Sequence, residues 1–129
     1  MILLDTHAWV WLVDSPDKLP PRTLQEVETQ DLILVSTVSC WEISMLCAKK
    51  RIELSLPLDT WIRQTLDASQ YEFVPLSVEA AKLAGSEQVE WTHHDPSDRM
   101  IVATAIDLDI PLVTADRAIQ SIPGFTTVW

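Results

Sequence analysis

The chain has 129 residues, of which 47% are apolar, and it carries a formal net charge of -10 at neutral pH. This length and apolar content predict one domain, residues 1–129, with a single continuous core. The acidic charge argues against a protein that binds nucleic acid through a broad basic surface, unless cations held by clustered acids reverse the local field.

The first half of the chain alternates between short apolar strands and helices. A strand at 2–4 precedes a helix at 7–13, and a second helix begins at Pro20-Pro21 and runs through Thr29. A strand at 32–35 then precedes the helix with the clearest apolar period, which starts at Ser39 and ends in Lys49-Lys50-Arg51.

The second half continues the alternation. A helix at 59–68, a strand at 72–74 and a helix at 77–84 come first, followed by a helix that Asp95 caps and that runs from Pro96 through Ile106. A strand at 111–114, a helical turn at 116–120 and a strand at 125–128 follow. The pattern predicts an α/β fold, with a five-stranded, mostly parallel sheet and helices on both faces.

Four acidic residues fall where predicted strands and helices meet. Asp5 directly follows the first strand, and Asp116 lies two residues past the fourth. Glu42 and Asp98 fall in the first turns of two predicted helices. Because ligands bind beyond the carboxyl ends of strands in open α/β sheets, we expect these four side chains to share one edge of the sheet.

A cluster of four carboxylates predicts a metal site. Carboxylates a few ångströms apart repel one another and must take up protons or bind cations. Oxygen ligands select hard cations, which predicts Mg²⁺, with Mn²⁺ as an alternative. The only glycines, Gly85 and Gly124, form no phosphate-binding loop. Metal ions held by the acids remain as the means of acting on a phosphodiester, so the cluster favours a nuclease.

Each acid also has an ordinary structural interpretation. Asp5 and Asp116 can cap the helical turns that follow them. Ser39 and Glu42 match a capping box, in which the glutamate binds a backbone N–H. Asp98 can simply complement a helix dipole. These interpretations explain each acid singly, but four independent caps have no reason to gather at one edge of a sheet.

Two histidines beside Asp95 require a separate interpretation. His93, His94 and Asp95 resemble the His-Asp dyad of some metal-dependent phosphohydrolases, and histidine can bind zinc or iron. Those enzymes are all-helical, whereas this pattern is α/β. We therefore interpret the histidines as loop or supporting residues rather than as direct metal ligands.

The cysteines and the amino-terminal residues bear on location. Cys40 and Cys47 lie about 10 Å apart along one predicted helix and cannot form a disulfide with each other there. Free thiols suit a reducing compartment. No apolar run is long enough to span a membrane, and the first residues lack the basic start of a signal peptide. We expect a cytoplasmic protein.

Four sequence blocks carry a resemblance to a known family. They are Leu3-Leu4-Asp5-Thr6-His7, Val38-Ser39-Cys40-Trp41-Glu42-Ile43, His94-Asp95-Pro96-Ser97-Asp98-Arg99-Met100 and Leu112-Val113-Thr114-Ala115-Asp116-Arg117. In this order and at these separations they resemble the signature blocks of PIN-domain proteins, specifically the VapC-type toxins of toxin-antitoxin pairs. The resemblance spans almost the whole chain.

The resemblance implies a PIN fold with a five-stranded parallel sheet, Mg²⁺-dependent endoribonuclease activity and a homodimer. It also implies an antitoxin that blocks the active site and binds operator DNA together with the toxin. By position, the metal-binding catalytic acids are Asp5, Glu42, Asp98 and Asp116. Thr6 and Thr114 resemble the supporting hydroxyls of the family. An aspartate is frequent at the position of Asp95 in this subgroup, and a helix-capping role is enough to explain it.

Lys49, Lys50 and Arg51 form a basic cluster that can contact the phosphates of an RNA substrate. The same charges are also ordinary at the carboxyl end of a helix. Most tryptophans suit the core or a subunit interface, while Trp11 and Trp91 lie near enough to the acidic edge to stack on RNA bases.

Two other functions are compatible with parts of the pattern. A PIN-fold nuclease can act in RNA maturation or decay rather than as a toxin. A non-catalytic, receiver-like module can use an acidic edge to bind one Mg²⁺, but a receiver needs two adjacent acids after its first strand and a late lysine. Here Thr6 follows Asp5, and no lysine follows Lys82.

Overall fold

The computed structural model describes residues 1–92 and 94–129. In these ranges the strands are β1 (Ile2–Leu4), β2 (Ile33–Ser36), β3 (Tyr71–Val74), β4 (Leu112–Val113) and β5 (Thr127–Val128). The α-helices are α1 (Thr6–Asp14), α2 (Pro21–Glu28), α3 (Thr37–Ala48), α4 (Leu58–Asp67), α5 (Val78–Ala84), α6 (Pro96–Leu108) and α7 (Arg117–Gln120). A 3₁₀ turn at Pro16–Lys18 follows α1.

The strands form one parallel sheet in the order β3-β2-β1-β4-β5. Leu4 at the end of β1 pairs with Val35 of β2 on one side and with Val113 of β4 on the other. The chain adds strands to one side of β1 and then returns to add β4 and β5 on the other side. The strand order therefore reverses between β1 and β4, which is where α/β sheets form a binding crevice.

Both faces of the sheet are covered by helices. Ile2 and Leu4 belong to a core cluster that includes Trp9 of α1 and Trp61 of α4. Leu3 belongs to a second cluster on the other face, with Ile101 of α6 among its members. Successive strand residues point to opposite faces, so this short apolar run supplies two cores. The predicted α/β class and five-stranded sheet are confirmed.

The start of α3 differs from the prediction. We predicted that Ser39 starts this helix, and a capping box with Ser39 was the ordinary alternative for Glu42. The helix instead begins at Thr37, and the Ser36 hydroxyl accepts a hydrogen bond of 3.1 Å from the Val38 amide. Ser39 is buried and its Oγ accepts a hydrogen bond from Thr6. The capping-box interpretation of Glu42 is therefore wrong.

Across the described ranges, each helix is too short or too polar to traverse a lipid bilayer.

Candidate active site

A cavity of about 340 Å³ opens where the strand order reverses. Its walls contain the four acids that the sequence predicted to share one edge of the sheet, together with a fifth acid from the start of α6. These residues are Asp5, Glu42, Asp95, Asp98 and Asp116. The sheet topology thus gathers carboxylates that are up to 111 positions apart in the sequence into one space.

Asp5 and Asp116 line the cavity and also cap helices. Asp5 Oδ1 accepts a hydrogen bond of 2.8 Å from the Ala8 amide at the start of α1. Asp116 Oδ1 accepts hydrogen bonds from Ala118 and Ile119 at the start of α7. In both residues the cap uses Oδ1, and each carboxylate has a second oxygen. Capping and metal binding are therefore compatible roles for these side chains.

Thr114 connects these two acids. It is fully buried, and its Oγ1 accepts a hydrogen bond of 3.1 Å from the Asp116 amide. Its hydroxyl also forms a hydrogen bond that lowers the pKa of Asp5, although burial outweighs this effect and leaves the pKa of Asp5 raised. Asp5 is only 7% exposed. Thr114 thus contacts the Asp5 side chain and the backbone amide of Asp116.

Thr6 supports the site from the other side. The Thr6 hydroxyl donates a hydrogen bond of 2.9 Å to Ser39 Oγ, and both side chains are buried. The bond links the first turn of α1 to the first turn of α3. Glu42 lies one turn further along α3. Thr6 also lines the cavity.

Glu42, Asp95 and Asp98 form the tightest group of acids. One carboxylate oxygen from each lies within 4.8 Å of the other two. Asp95 caps α6 as predicted, accepting a hydrogen bond of 3.1 Å from the Asp98 amide. It nevertheless lies closer to Glu42 and Asp98 than a cap alone requires. Asp95 is therefore part of the acidic cluster as well as the cap.

Ser97 bridges two of these acids and was not singled out from the sequence. Its Oγ lies 2.7 Å from Asp95 Oδ1 and 3.2 Å from Glu42 Oε2. A hydroxyl has one proton, so at any moment it donates to one of these oxygens. Its position two residues after a capping Asp was the available signal, but contact with Glu42 depends on the packing of α3 against α6.

The donor set fits a hard divalent cation. Glu42 Oε1 is buried and has no hydrogen-bond partner among the described residues. Leaving such an oxygen without a donor is costly, since burial removes water as its partner. A divalent cation would satisfy this oxygen, and carboxylate oxygens are the ligands that Mg²⁺ and Mn²⁺ prefer.

The electrostatics of Asp98 reflect the same clustering. Desolvation makes the largest contribution, and repulsion from four neighbouring carboxylates adds to it, so that the pKa of Asp98 rises to about 7. These neighbours, in order of decreasing effect, are Asp95, Glu42, Asp5 and Asp116. A carboxylate with this pKa is half protonated near neutral pH, and a bound cation would favour its ionised form.

Trp91 and His94 lie near the start of α6 but are not among the described residues that line this cavity. The Arg99 guanidinium carbon lies 4.9 Å from the Trp91 ring centroid, and Arg99 Nη2 lies 3.1 Å from His94 Nδ1. One face of Trp91 is therefore contacted by Arg99. His94 is exposed, and the prediction for His93 lies outside the described residues.

The predicted basic cluster follows α3. Lys49, Lys50 and Arg51 are all exposed just beyond the last helical residue, Ala48. At about 1.5 Å per residue, this end of the helix lies about 10 Å along its axis from Glu42. The role of the cluster in contacting RNA stays a prediction.

Comparisons with known proteins agree with this geometry. A family model for the PIN domain matches residues 2–124. Ribonuclease VapC22 of Mycobacterium tuberculosis is 33% identical over 130 residues, which cover 99% of this chain and 98% of that protein.

Solved structures with a similar fold include two toxin-antitoxin complexes on DNA. DNA-bound VapBC from Salmonella typhimurium matches with a TM-score of 0.71 and 22% identity, covering 98% of this chain and 96% of the matched chain. VapBC2 from Rickettsia felis, bound to a DNA fragment from its promoter, matches with a TM-score of 0.70 and 17% identity, covering 99% and 98%. The resemblance seen in the sequence blocks is confirmed, and the chain belongs to the PIN-domain family.

Proposed function

We infer that this chain is a VapC-type ribonuclease, the toxin of a toxin-antitoxin pair, with residues 1–129 acting as one PIN domain. The observation that carries the inference is the convergence of five carboxylates on one cavity at the reversal point of the sheet. The near full-length similarity to a protein named as a ribonuclease supports this reaction for the same cavity.

We propose Asp5, Glu42, Asp98 and Asp116 as the catalytic acids that bind Mg²⁺, which Mn²⁺ can replace. Held by these four acids, such a cation would supply activation of a water for attack on a phosphodiester and neutralisation of the charge that develops on the phosphate. The cation would also provide the positive charge that an acidic chain otherwise lacks at its substrate site.

The surrounding side chains have positioning and proton-holding roles. Thr114 orients Asp5 and Asp116, and Thr6 holds the start of α3 against α1. Asp95 caps α6 and shares the Ser97 hydroxyl with Glu42. Without metal, the Asp98 carboxyl holds a proton for about half of the time near neutral pH, and it loses this proton when the cation binds.

The partners follow from the same assignment. We propose RNA as the substrate, a cognate antitoxin as the inhibitor, and operator DNA as a target only through that antitoxin. Two of the structurally similar proteins are described as VapBC complexes on DNA, which supports this arrangement. A homodimer in the cytoplasm completes the proposal. Trp41, which is 60% exposed beside Glu42 on α3, is an apolar surface suited to a subunit interface.

The decisive test compares Asp98→Asn with a matched substitution on the same helix. Asp109 lies exposed at the other end of α6 with a positive φ of 54°, a conformation that asparagine tolerates well. Asp109→Asn therefore makes the same carboxylate-to-amide change and preserves the fold. We expect Asp98→Asn to abolish Mg²⁺-dependent RNA cleavage and Asp109→Asn to retain it. Equal cleavage by both variants would rule out the assigned site.

The toxin role requires a separate measurement. Induced expression of the wild type is expected to arrest bacterial growth, and co-expression of the small protein encoded beside it is expected to restore growth. Asp98→Asn, expressed to the same level, should leave growth normal. RNA cleavage in vitro without any effect on growth would instead favour a role in RNA maturation or decay.

A further inference from the structure

A second depression continues from the acidic cavity. It has a volume of about 270 Å³ and lies between α1, the 3₁₀ turn and the segment that follows α3. His7 and Trp11 line both spaces, so the two share a wall. We call the second depression the Trp11 groove. A linear ligand that occupies the acidic cavity can extend into this groove without leaving the protein surface.

Two cations flank the Trp11 groove. Lys18 lies at the end of the 3₁₀ turn, with its Nζ 5.6 Å from the centroid of the Trp11 ring. Arg51 lines the opposite wall, and its amide donates a hydrogen bond of 2.9 Å to the Leu46 carbonyl, which fixes the chain where α3 ends. Of the basic cluster predicted from the sequence, Arg51 is thus the member that lines this groove.

The groove also contains acids, and local donors occupy the carboxylate oxygens of one of them. Asp14 accepts hydrogen bonds from the Ser55 amide, the Ser55 hydroxyl and Trp61 Nε1. Although burial opposes them, these bonds keep the pKa of Asp14 below its usual value and occupy both of its carboxylate oxygens. Glu53 is the other acid in the wall.

Trp11 provides a fixed aromatic surface in this groove. Its ring is half-buried and contacts His7 at 6.0 Å and Trp129 at 5.7 Å between ring centroids. A ring held by two neighbours loses little conformational freedom when a base stacks on it, and stacking tolerates any base.

We propose that the Trp11 groove binds the single-stranded RNA segment adjacent to the scissile phosphate. Trp11 stacks on a base, and Lys18 and Arg51 contact the phosphates on either side of it. An aromatic ring and two cations in one groove offer a stacking surface for a base and charge partners for phosphates of a single strand. The inference rests on the proposed nuclease function, because that function places RNA in the neighbouring cavity.

Binding can be measured without cleavage. The probe is a fluorescein-labelled, mixed-sequence, single-stranded RNA of about 12 nucleotides, a length typical of single-strand binding sites. Fluorescence anisotropy is recorded with Ca²⁺ in place of Mg²⁺ over a range of salt concentrations. The variants are Lys18→Ala/Arg51→Ala and Trp11→Ala, with Trp11→Phe as the conservative change. The control is Lys82→Ala, an exposed cation on α5, which packs against α6 rather than α1.

Two results are expected. Loss of two phosphate contacts should reduce the slope of log affinity against log salt by about 1.4, at about 0.7 per contact. Trp11→Ala should weaken binding by about 5- to 150-fold, the effect of losing one stacked base, and Trp11→Phe should restore most of it. Lys82→Ala should leave the RNA affinity at the wild-type value.

The proposal would be overturned if the wild type did not bind the RNA, or if Lys18→Ala/Arg51→Ala matched Lys82→Ala in both affinity and salt slope. Groove variants that lost binding of a protein partner while keeping RNA binding would also overturn it. The nuclease assignment is judged separately by cleavage with Asp98→Asn. The groove and the catalytic site can therefore fail independently.

Discussion

Asp98 is the side chain whose protonation depends most on its neighbours. Its pKa of about 7 comes first from desolvation and then from the surrounding acids, and metal binding must displace its proton. We therefore expect Mg²⁺ affinity to rise about tenfold per pH unit below pH 7 and to level off above it. Calorimetry between about pH 5.5 and about pH 8.5 measures this dependence.

Asp98→Asn is the control for that titration. The variant should bind Mg²⁺ more weakly and lose the steep pH dependence, since an amide has no proton to release. A wild-type affinity that did not change across this range would contradict the raised pKa of Asp98 in the metal-free protein.

The same side chain should make the metal-free protein less stable as pH rises. The folded state holds the Asp98 proton up to about pH 7, whereas the unfolded chain releases it near 3.8. The free energy of unfolding therefore falls as pH rises from about 4 to about 7, and the contribution of this residue is constant above that. In EDTA at about pH 8, Asp98→Asn should unfold at a higher urea concentration than the wild type. A lower midpoint for the variant would show that the ionised carboxylate is stabilising.

The contact between α1 and α3 sets the position of Glu42 and gives a test by double mutation. Ser39→Ala leaves the buried Thr6 hydroxyl without its acceptor, which should cost about 1–3 kcal/mol of stability. Thr6→Val combined with Ser39→Ala removes both polar groups and should cost less than the sum of the two single changes. Urea unfolding of the four proteins measures the coupling. Additive costs would mean that this hydrogen bond does not hold the two helices together.

The positions of strands and helices were predictable where local sequence patterns determine them. The apolar runs at 2–4 and 32–35 predict the two strands found at Ile2–Leu4 and Ile33–Ser36, and Asp95 correctly predicts the start of α6. The start of α3 was not predictable locally, because Ser36 and Ser39 are both good caps. The choice depends on Thr6, which lies 33 positions away and binds Ser39 in the folded chain.

The candidate site shows the same division. The positions of Asp5 and Asp116 at strand ends follow from alternation along the chain, since parallel strands direct their carboxyl ends to one edge. Two features arise only when α3 packs against α6: the Ser97 hydroxyl shared by two acids, and the Glu42 oxygen that has no hydrogen-bond partner among the described residues. The sequence therefore predicted which acids gather at the edge of the sheet, but not that Glu42 and Asp95 share the hydroxyl proton of Ser97.

The charge of the whole molecule predicts how RNA binding depends on divalent cations. With a net charge of -10, the metal-free chain should repel RNA, and the few cations in the Trp11 groove cannot reverse that field alone. We expect the affinity for the labelled RNA to fall by at least about tenfold when EDTA replaces Ca²⁺, because the acidic cavity then regains its negative charge.

Bulk screening by Ca²⁺ must be separated from binding of Ca²⁺ at the site. Both samples are therefore adjusted with NaCl to the same ionic strength, and Asp98→Asn is measured beside Asp109→Asn. If a cation is held in the acidic cavity, Ca²⁺ should raise the RNA affinity of Asp109→Asn as much as that of the wild type. The effect of Ca²⁺ on the RNA affinity of Asp98→Asn should be mostly lost. An equal Ca²⁺ effect in the two variants would assign it to general screening, and the acidic charge of the chain would then have to be overcome elsewhere on its surface.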